Sequence, residues 1–209
     1  TRVAYKLQEL KKKTSQVVVV AAHYGDALQY SKISEMTNAF GVSSYPHARL
    51  NRTTKWNESE SAVTSLYANS SKVGVLIESS IDGRTLTLKV KAKFSETYTD
   101  LKLGVFLLEN DLLLDQANYG DFGYGSDNPI VNFEHDDVLR VALTSPLGDN
   151  ISSESTKVGS VFEKSFTYEI PNSYDKDKMD IVAFITDKDK MSLNARHSEI
   201  GKTQEFEEL

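Results

Sequence analysis

Residues 17–52 read VVVVAAHYGDALQYSKISEMTNAFGVSSYPHARLNR, and this segment decides the fold. Its four consecutive valines favour an extended backbone, because branching at Cβ restricts the side chain. The apolar run at 17–22 therefore predicts a strand buried on both faces, as in the middle of a parallel sheet. A helix is predicted next, over residues 31–40, and Gly41 ends it. A proline turn then leads to an extended segment at 47–52, so the whole segment predicts a compact α/β unit.

A helical signal extends this unit on its N-terminal side. Val3, Leu7 and Leu10 repeat at helical spacing, and the lysines at 11–13 complement the C-terminal end of the helix dipole. Because no strand stands before this helix, we expect the first strand of the unit to lie upstream of the chain. The α/β unit ends in a polar linker at 69–72.

From residue 73 the pattern changes to the period of a strand. Val73, Val75 and Ile77 alternate with small or polar residues, and Asp82-Gly83 is typical of a hairpin turn. Further strands are predicted at residues 86–90, 101–109, 161–170 and 180–187. Since no long helix interrupts them, we expect an antiparallel sandwich.

The predicted fold class is therefore α+β, with two domains. Residues 1–71 are expected to form an N-terminally incomplete α/β domain, and residues 72–209 an antiparallel β-sandwich. Because the period of the pattern changes at the linker, we expect two separate cores with few contacts between them.

Composition excludes several classes of function. The 209 residues carry a formal net charge of −6, with a pI near 5.3. This argues against a nucleic-acid partner, which needs a concentrated basic surface. We find no apolar run long enough to cross a bilayer, and we expect no signal peptide in this chain. The absence of cysteine removes disulfides, thiolate metal ligands and thiol nucleophiles.

Four motifs, taken in order, resemble one family of bacterial surface lipoproteins. They are HYGD at 23–26, SYPHARLNR at 44–52, FEHDDVLR at 133–140 and LNARHSEIG at 193–201. The family is that of the twenty-eight-kilodalton outer-membrane protein, and the resemblance covers nearly the whole chain. It implies a thioredoxin-like domain followed by an immunoglobulin-like β-sandwich, located in the cell envelope, at the outer membrane or the cell surface. It also implies a lipoprotein signal, which is absent from this chain.

The resemblance further implies a redox site. Many members of the family carry a Cys-x-x-Cys pair on the turn before the first helix, whereas this sequence has no cysteine. In a thioredoxin-like fold the residue before a cis-proline faces that pair, and Tyr45-Pro46 matches this place. The alternative is that Pro46 merely begins an edge strand.

His23 and Asp26 complete the candidate site. They follow the predicted central strand, and α/β sheets bind ligands at the carboxyl ends of their strands. The alternative is a histidine that only stabilises a turn. We expect the strand at 17–22 to neighbour the segment after Pro46, because short connections place consecutive elements side by side. The resemblance to a thioredoxin-like fold implies that the two are antiparallel, which brings His23 and Asp26 towards Tyr45 at one open edge of the sheet. A homodimer through that edge is a corollary.

No metal or cofactor is predicted. His135, Asp136 and Asp137 are adjacent, so on a strand their side chains point to alternating faces and do not converge. His197, near the C-terminus, has no predicted chemical role. An acidic loop also lacks the dense ligand spacing of an EF-hand calcium site. The acidic residues of that loop are Asp115, Asp121 and Asp127.

Two classes of function stay open. The first is an envelope-associated binding or interaction protein, with an unidentified envelope protein or ligand as its partner and no catalysis by this chain. Its only membrane contact would be an N-terminal lipid anchor that this chain does not contain. The second is an extracytoplasmic thiol–disulfide oxidoreductase, or a degenerate relative, whose cysteine pair lies upstream of residue 1 or has been lost. The absence of cysteine favours the first class.

Overall fold

The fold is built around two antiparallel sheets, with the N-terminal segments packed against one of them. The computed structural model describes residues 2–67, 69–120 and 122–209. In chain order the helices are α1 (Arg2–Lys13), α2 (Ile33–Ala39) and α3 (Glu60–Thr64). The strands are β1 (Arg49–Leu50), β2 (Thr54–Lys55), β3 (Val73–Asp82), β4 (Thr85–Phe94), β5 (Lys102–Glu109), β6 (Leu112–Gln116), β7 (Ile130–His135), β8 (Val138–Ala142), β9 (Asp149–Asn150), β10 (Val161–Glu169), β11 (Met179–Thr186) and β12 (Ser192–Glu199). Two short 3₁₀ helices, Ser153–Ser155 and Lys176–Lys178, lie in the connections.

The two sheets form a sandwich around the main core. One sheet has the order β10-β4-β3, and the other has the order β12-β11-β5-β8 with β9 beside β5. Along β4, Leu86, Leu88, Val90 and Ala92 alternate with more exposed residues and are all buried, because successive side chains of a strand point to opposite faces. They pack against apolar side chains of β5 and β11 across the sandwich. The predicted antiparallel sandwich content is confirmed.

The hairpin predicted at the start of the sandwich is present. β3 and β4 pair antiparallel along their whole length, up to Asp82 and Thr85 at the turn. Gly83 takes a φ of 59° there, a value that costs a residue without Cβ little. Three further predicted strands correspond to β5, β10 and β11. The sequence predictions missed β6, β7, β8 and β12, whose apolar residues are sparse or do not alternate cleanly.

The five-stranded sheet has a second covering layer. In β5, Leu107 faces the main core, whereas Phe106 faces the opposite side of the sheet. There Phe106 and Phe184 of β11 pack against Tyr30 and Ile33, which come from the N-terminal segments. The predicted separation into two cores with few contacts between them is therefore wrong. The physical reason is that β5 and β11 are apolar on both faces, so the second face also has to be removed from water.

The valine run does not form the central strand of a separate sheet. Ala21 makes an isolated parallel bridge to Val138, in which its amide donates to the Asp137 carbonyl at 2.8 Å and its carbonyl accepts from the Leu139 amide at 2.9 Å. Ala21 therefore lies beside the start of β8, at the end of the five-stranded sheet, and Val18, Val20 and Ala22 pack against the second core. The predicted pairing with the segment that contains β1 is wrong. An edge strand offers unpaired backbone groups, and Ala21 satisfies two of them at the start of β8.

The predicted helices are present with shifted ends. α1 ends with the three basic residues noted in the sequence and packs Leu10 against Trp56 and Val63. α2 is shorter than the predicted helix at 31–40, and Gly41 follows it with a φ of 60°. The helical periodicity therefore located both elements, while their exact ends depended on packing.

The thioredoxin-like character of the first 71 residues stays a prediction, as does the boundary before residue 72. In the described part of that segment, the strands are β1 and β2, which pair antiparallel over two residues each. The coarser fold class is confirmed, since the chain combines mostly antiparallel sheets with few helices. Among the described residues, the helices are too short or too polar to cross a membrane.

Arg52, in the turn of the β1–β2 hairpin, contacts Phe184 of the core that contains Phe106 and Tyr30. Its guanidinium lies 4.5 Å from the Phe184 ring and 5.1 Å from the Phe40 ring, and its Nη2 donates to the Pro146 carbonyl at 3.2 Å. Burial lowers the pKa of Arg52 to about 10, so the side chain remains charged at neutral pH. These contacts hold the segment around Pro46 against the sandwich.

Candidate functional site

Two exposed tyrosines mark the surface around Pro46. Tyr24 and Tyr45 stack, with ring centroids 5.0 Å apart and an interplanar angle of 10°. Their exposed fractions are 54% and 51%. The Tyr45–Pro46 peptide bond is cis, as the resemblance implied, and Pro46 precedes β1 rather than beginning it. The turn after the valine run therefore meets the turn before Pro46, through Tyr24 and not through strand pairing.

A cleft of about 430 Å³ lies beside Pro46, lined by the first residues of α1 and by the segments that flank the β1–β2 hairpin. Pro46 and Trp56 contribute apolar surface to it. The Trp56 indole donates to the Ser59 carbonyl at 2.9 Å, which fixes the ring. Arg2 and Glu58 also line the cleft and form an ion pair, with 2.5 Å between Nε and Oε2. We call this concave surface the Pro46 cleft.

His47 lines the Pro46 cleft and was missed by the sequence predictions. Its Nε2 is buried and has no hydrogen-bond partner among the described residues. Burial lowers the pKa of His47, and the charges of Arg49 and Lys55 act in the same direction. The imidazole is therefore neutral at neutral pH. Its position directly after the singled-out proline was the signal that could have identified it.

His23 and Asp26 hold a turn behind the tyrosine pair. His23 Nδ1 and Asp26 Oδ2 are 2.7 Å apart, and Asp26 Oδ1 accepts from the Leu28 amide at 2.8 Å. Gly25 has a φ of 81°, and its amide donates to the Gln29 side chain at 2.6 Å. This arrangement is the turn-stabilising alternative considered from the sequence.

His23 also contacts a histidine from a distant part of the sequence. The His23 and His135 rings meet nearly at right angles, with centroids 5.0 Å apart and an interplanar angle of 74°. His135 Nε2 lies 3.1 Å from the Leu114 carbonyl. Burial lowers the pKa of His135, although the hydrogen bond to Leu114 acts in the opposite direction. On its other side the ring packs against Phe133, with 4.9 Å between centroids.

The neighbours of His135 make other contacts, although Asp136 and Asp137 lie in the connection between β7 and β8 and not on a strand, as the sequence reasoning had assumed. Asp137 accepts from Lys11 Nζ at 2.7 and 3.0 Å, which ties α1 to the start of β8. Asp136 instead belongs to a largely exposed acidic cluster whose carboxylates come within 4.8 Å of one another. The members of that cluster are Asp111, Glu134 and Asp136.

The remaining residues considered from the sequence lie outside this region. His197 Nε2 is 2.9 Å from Asp180 Oδ2, and this hydrogen bond raises the pKa of His197. Asp115 accepts from the Asn132 amide at 3.0 Å across the β6–β7 hairpin. Asp121, in the same acidic loop, lies outside the described residues.

The sequence matches a known family over most of its length. The matching family model is described as Outer membrane protein Omp28 and covers residues 33–204. This chain belongs to the Omp28 family. The resemblance inferred from the four motifs is confirmed, and membership of an outer membrane family places the protein in the cell envelope. A search of curated protein sequences found no significant match.

Two solved structures resemble the Omp28-family chain. One is HBP35 of Porphyromonas gingivalis, with a TM-score of 0.73 and 14% sequence identity over 96% of this chain and 69% of that one. At this identity the likeness shows a shared fold. The other is a domain of the outer membrane lipoprotein Omp28 from Porphyromonas gingivalis, with a TM-score of 0.43 and 19% identity. That comparison covers 64% of this chain and 91% of the domain.

The four site residues named from the sequence form two pairs in the Omp28-family chain. His23 bonds to Asp26, and Tyr45 is joined to Pro46 by the cis peptide bond. Tyr24, which the sequence predictions passed over, bridges the pairs by its stacking on Tyr45. His47 adjoins Pro46 in the chain, whereas Trp56 and His135 reach the region only through tertiary packing.

Proposed function

We propose that this Omp28-family protein is an envelope-associated binding protein whose partner docks on the Pro46 cleft and the adjoining tyrosine pair. The observation that supports the proposal is the stacking of Tyr24 on Tyr45 while both remain about half exposed. Exposed aromatic clusters mark interaction sites, because rigid rings supply contact area at little cost in conformational entropy.

The Pro46 cleft adds polar contacts to this aromatic surface. The buried Nε2 of His47 has no hydrogen-bond partner among the described residues, and leaving such a group unpaired costs free energy. Because that nitrogen is enclosed, the polar contacts of a ligand would come from Arg2 and Glu58, which also line the cleft. Trp56 offers an apolar wall in the same cleft. The combination fits an envelope protein segment or a small ligand that carries both an apolar group and a hydrogen-bonding group.

Photo-crosslinking in the intact envelope tests the proposal. We expect p-benzoylphenylalanine at position 24 or 45 to capture a discrete adduct in the bacterium that makes the protein, because both side chains face the proposed docking surface. The matched control places the same residue at Tyr119, which is 90% exposed in the loop between β6 and β7. An adduct with the mass of two chains identifies a second copy as the partner.

Two outcomes contradict this docking surface. One is the absence of any adduct from positions 24 and 45. The other is an identical adduct pattern from position 119, which would show that any exposed position captures the same molecules.

We further propose that the protein is held at the outer membrane by an N-terminal lipid anchor upstream of residue 1. Membership of an outer membrane protein family supports this. Labelling the complete gene product with a radioactive fatty acid tests the anchor, and an unlabelled protein in the membrane fraction would contradict it.

A second candidate function is that of an extracytoplasmic thiol–disulfide oxidoreductase. It assumes that residues 1–71 are the remainder of a thioredoxin-like domain, with a Cys-x-x-Cys pair upstream of residue 1. The observation that favours it is that Arg2 and Val3, at the start of α1, line the same cleft as Pro46. A residue pair placed just before α1 would therefore enter the chain next to this proline.

An insulin-reduction assay separates the two candidates. Residues 1–209 contain no cysteine, and disulfide exchange requires an attacking thiolate. We therefore expect this chain to show no turnover above the buffer background, with an authentic thioredoxin as the positive control. Turnover by residues 1–209 would refute the prediction. Turnover by the complete gene product alone would instead support the oxidoreductase candidate.

A further inference from the structure

We propose that His23 and His135 together bind a divalent transition-metal cation, with zinc, copper and nickel as the candidate ions, and that Asp26 positions His23 for this role. The two histidines come from separate parts of the fold. His23 follows the segment whose Ala21 lies beside the start of β8, and His135 is the last residue of β7. The inference is independent of the docking surface proposed above.

The first argument is the hydrogen bonding of the two rings. Leu114 contributes a carbonyl, which only accepts, so His135 Nε2 carries a proton and donates over 3.1 Å. An ionised Asp26 also only accepts, so His23 Nδ1 donates to it over 2.7 Å. With one proton on each ring, the remaining lone pairs are on His23 Nε2 and on His135 Nδ1. Metal-binding histidines have this arrangement, in which the second ring nitrogen donates to a carboxylate or a backbone carbonyl.

The second argument is the distance between the rings. Two imidazoles bound to one tetrahedral ion, with metal–nitrogen bonds of about 2.0 Å, have ring centroids about 5 Å apart. The observed separation of the His23 and His135 centroids is 5.0 Å. The two rings therefore already stand at the spacing that shared coordination requires.

The third argument is access. The His23 side chain is 14% exposed and His135 is 6% exposed, so the pair is largely shielded. Nevertheless neither His23 Nε2 nor His135 Nδ1 is among the buried polar atoms that lack a partner in the described part of the chain. No hydrogen bond occupies either nitrogen among the described residues. Among the described residues, neither nitrogen is therefore as fully enclosed as Nε2 of His47.

Ligand chemistry selects the ion. Imidazole suits zinc, copper and nickel, whereas carboxylate oxygens suit calcium, magnesium and manganese. Two protein nitrogens leave the remaining coordination positions to water or to a donor from a partner. The site is therefore expected to bind a single ion that exchanges readily. The exposed carboxylates of Asp111, Glu134 and Asp136 form a competing oxygen site, and the experiment has to separate the two.

The test is a titration of the tag-free chain with Zn²⁺, Ni²⁺ and Cu²⁺, followed by competition with a chromophoric chelator. We expect one equivalent of each ion to bind. His23→Gln and His135→Gln should each lower the association constant at least about tenfold, because each removes one of two protein ligands. The chain offers matched controls in its two other histidines. His47→Gln and His197→Gln should bind as the unmodified chain does.

Two further measurements distinguish coordination from a merely structural role. The electron paramagnetic resonance spectrum of the Cu²⁺ complex should show coupling to two imidazole nitrogens, reduced to one in either ligand variant. Asp26→Asn keeps an oxygen that can accept from the Leu28 amide but removes the charge. It should lower the affinity about 10- to 100-fold, and the melting temperature of the metal-free variant measures separately how much the turn held by Asp26 is weakened.

Several outcomes would overturn the proposal. Affinity that is unchanged in both His23→Gln and His135→Gln would do so, as would equal losses in the His47 and His197 controls. Binding that disappears only when Asp111, Glu134 and Asp136 are replaced would assign the ion to the acidic cluster. Metal-free melting curves of every variant establish that each one is folded, so that a lost site is not mistaken for a lost structure.

Discussion

Replacing Phe184 with alanine should lower the free energy of unfolding by about 3–5 kcal/mol, the usual cost of emptying a buried aromatic site. Phe184 is 3% exposed and packs edge-to-face on Phe106, with 4.9 Å between ring centroids. Its ring also fills the space over Gly104, where an added Cβ would come within 2.0 Å of the ring. The Arg52 guanidinium lies 4.5 Å from the same ring, so the substitution also removes the aromatic face that partners a buried charge.

The position of Phe184 gives this variant a second expected effect. Because the ring belongs to the core shared with Tyr30 and Ile33, its removal should also loosen the N-terminal layer. We expect faster amide hydrogen exchange around α2 under native conditions, besides the lower stability in urea. Val161→Ala, at a site that is 58% exposed in β10, is the control and should change the stability by less than about 0.5 kcal/mol. A cost below about 1 kcal/mol for Phe184→Ala, with unchanged exchange in α2, would contradict the shared core.

Replacing Arg140 with methionine should destabilise the protein by about 3 kcal/mol or more, because it leaves a buried carboxylate without its cation. The Glu109 side chain is 2% exposed, and its Oε2 lies 3.2 Å from Arg140 Nε. The other oxygen, Oε1, accepts from the Asp175 amide at 2.7 Å. Arg140 also lies 4.6 Å from the Tyr174 ring, and methionine keeps part of that apolar contact.

A double-mutant cycle isolates the charge pair from the rest of the packing. Glu109→Gln removes the negative charge but keeps an acceptor for the Asp175 amide, so the double variant Glu109→Gln/Arg140→Met contains no unpaired buried charge. We expect it to recover most of the loss caused by Arg140→Met, which gives a coupling energy of about 1–3 kcal/mol. Chemical denaturation of the four proteins measures this energy. Additive losses in the double variant would show that the ion pair does not account for the effect.

Local sequence pattern was sufficient for α1 and for the β3–β4 hairpin. The alternation of TLTLKVKAKF placed β4 with its apolar side chains inward, and the turn at Asp82-Gly83 set the register of the β3–β4 hairpin. The spacing of Val3, Leu7 and Leu10 located α1. These patterns are decided by neighbours in the chain, so they can be read without knowing the rest of the molecule.

For the valine run, the sequence pattern predicted burial but not the packing partners. A continuous apolar run indicates burial on two faces, but it does not indicate which surfaces supply that burial. Here the surface is β8 and the second face of the five-stranded sheet, both far along the chain. A similar limit applied to His135. The sequence placed His135, Asp136 and Asp137 on one strand, whereas the strand ends at His135. The contact of His135 with His23 depends on how the N-terminal layer packs on the sheet.

By itself the sequence determined the antiparallel sandwich, the two main helices and the family, because strand period, helix period and ordered motifs are properties of the chain. It also identified a candidate site, made up of His23, Asp26, Tyr45 and Pro46. Only the tertiary structure decided that Tyr24 stacks on Tyr45 and that His23 meets His135. The physical reason is that β5 and β11 are apolar on both faces, so the second face is buried only when the N-terminal segments pack on it. The close approach of residues distant in sequence follows from that burial.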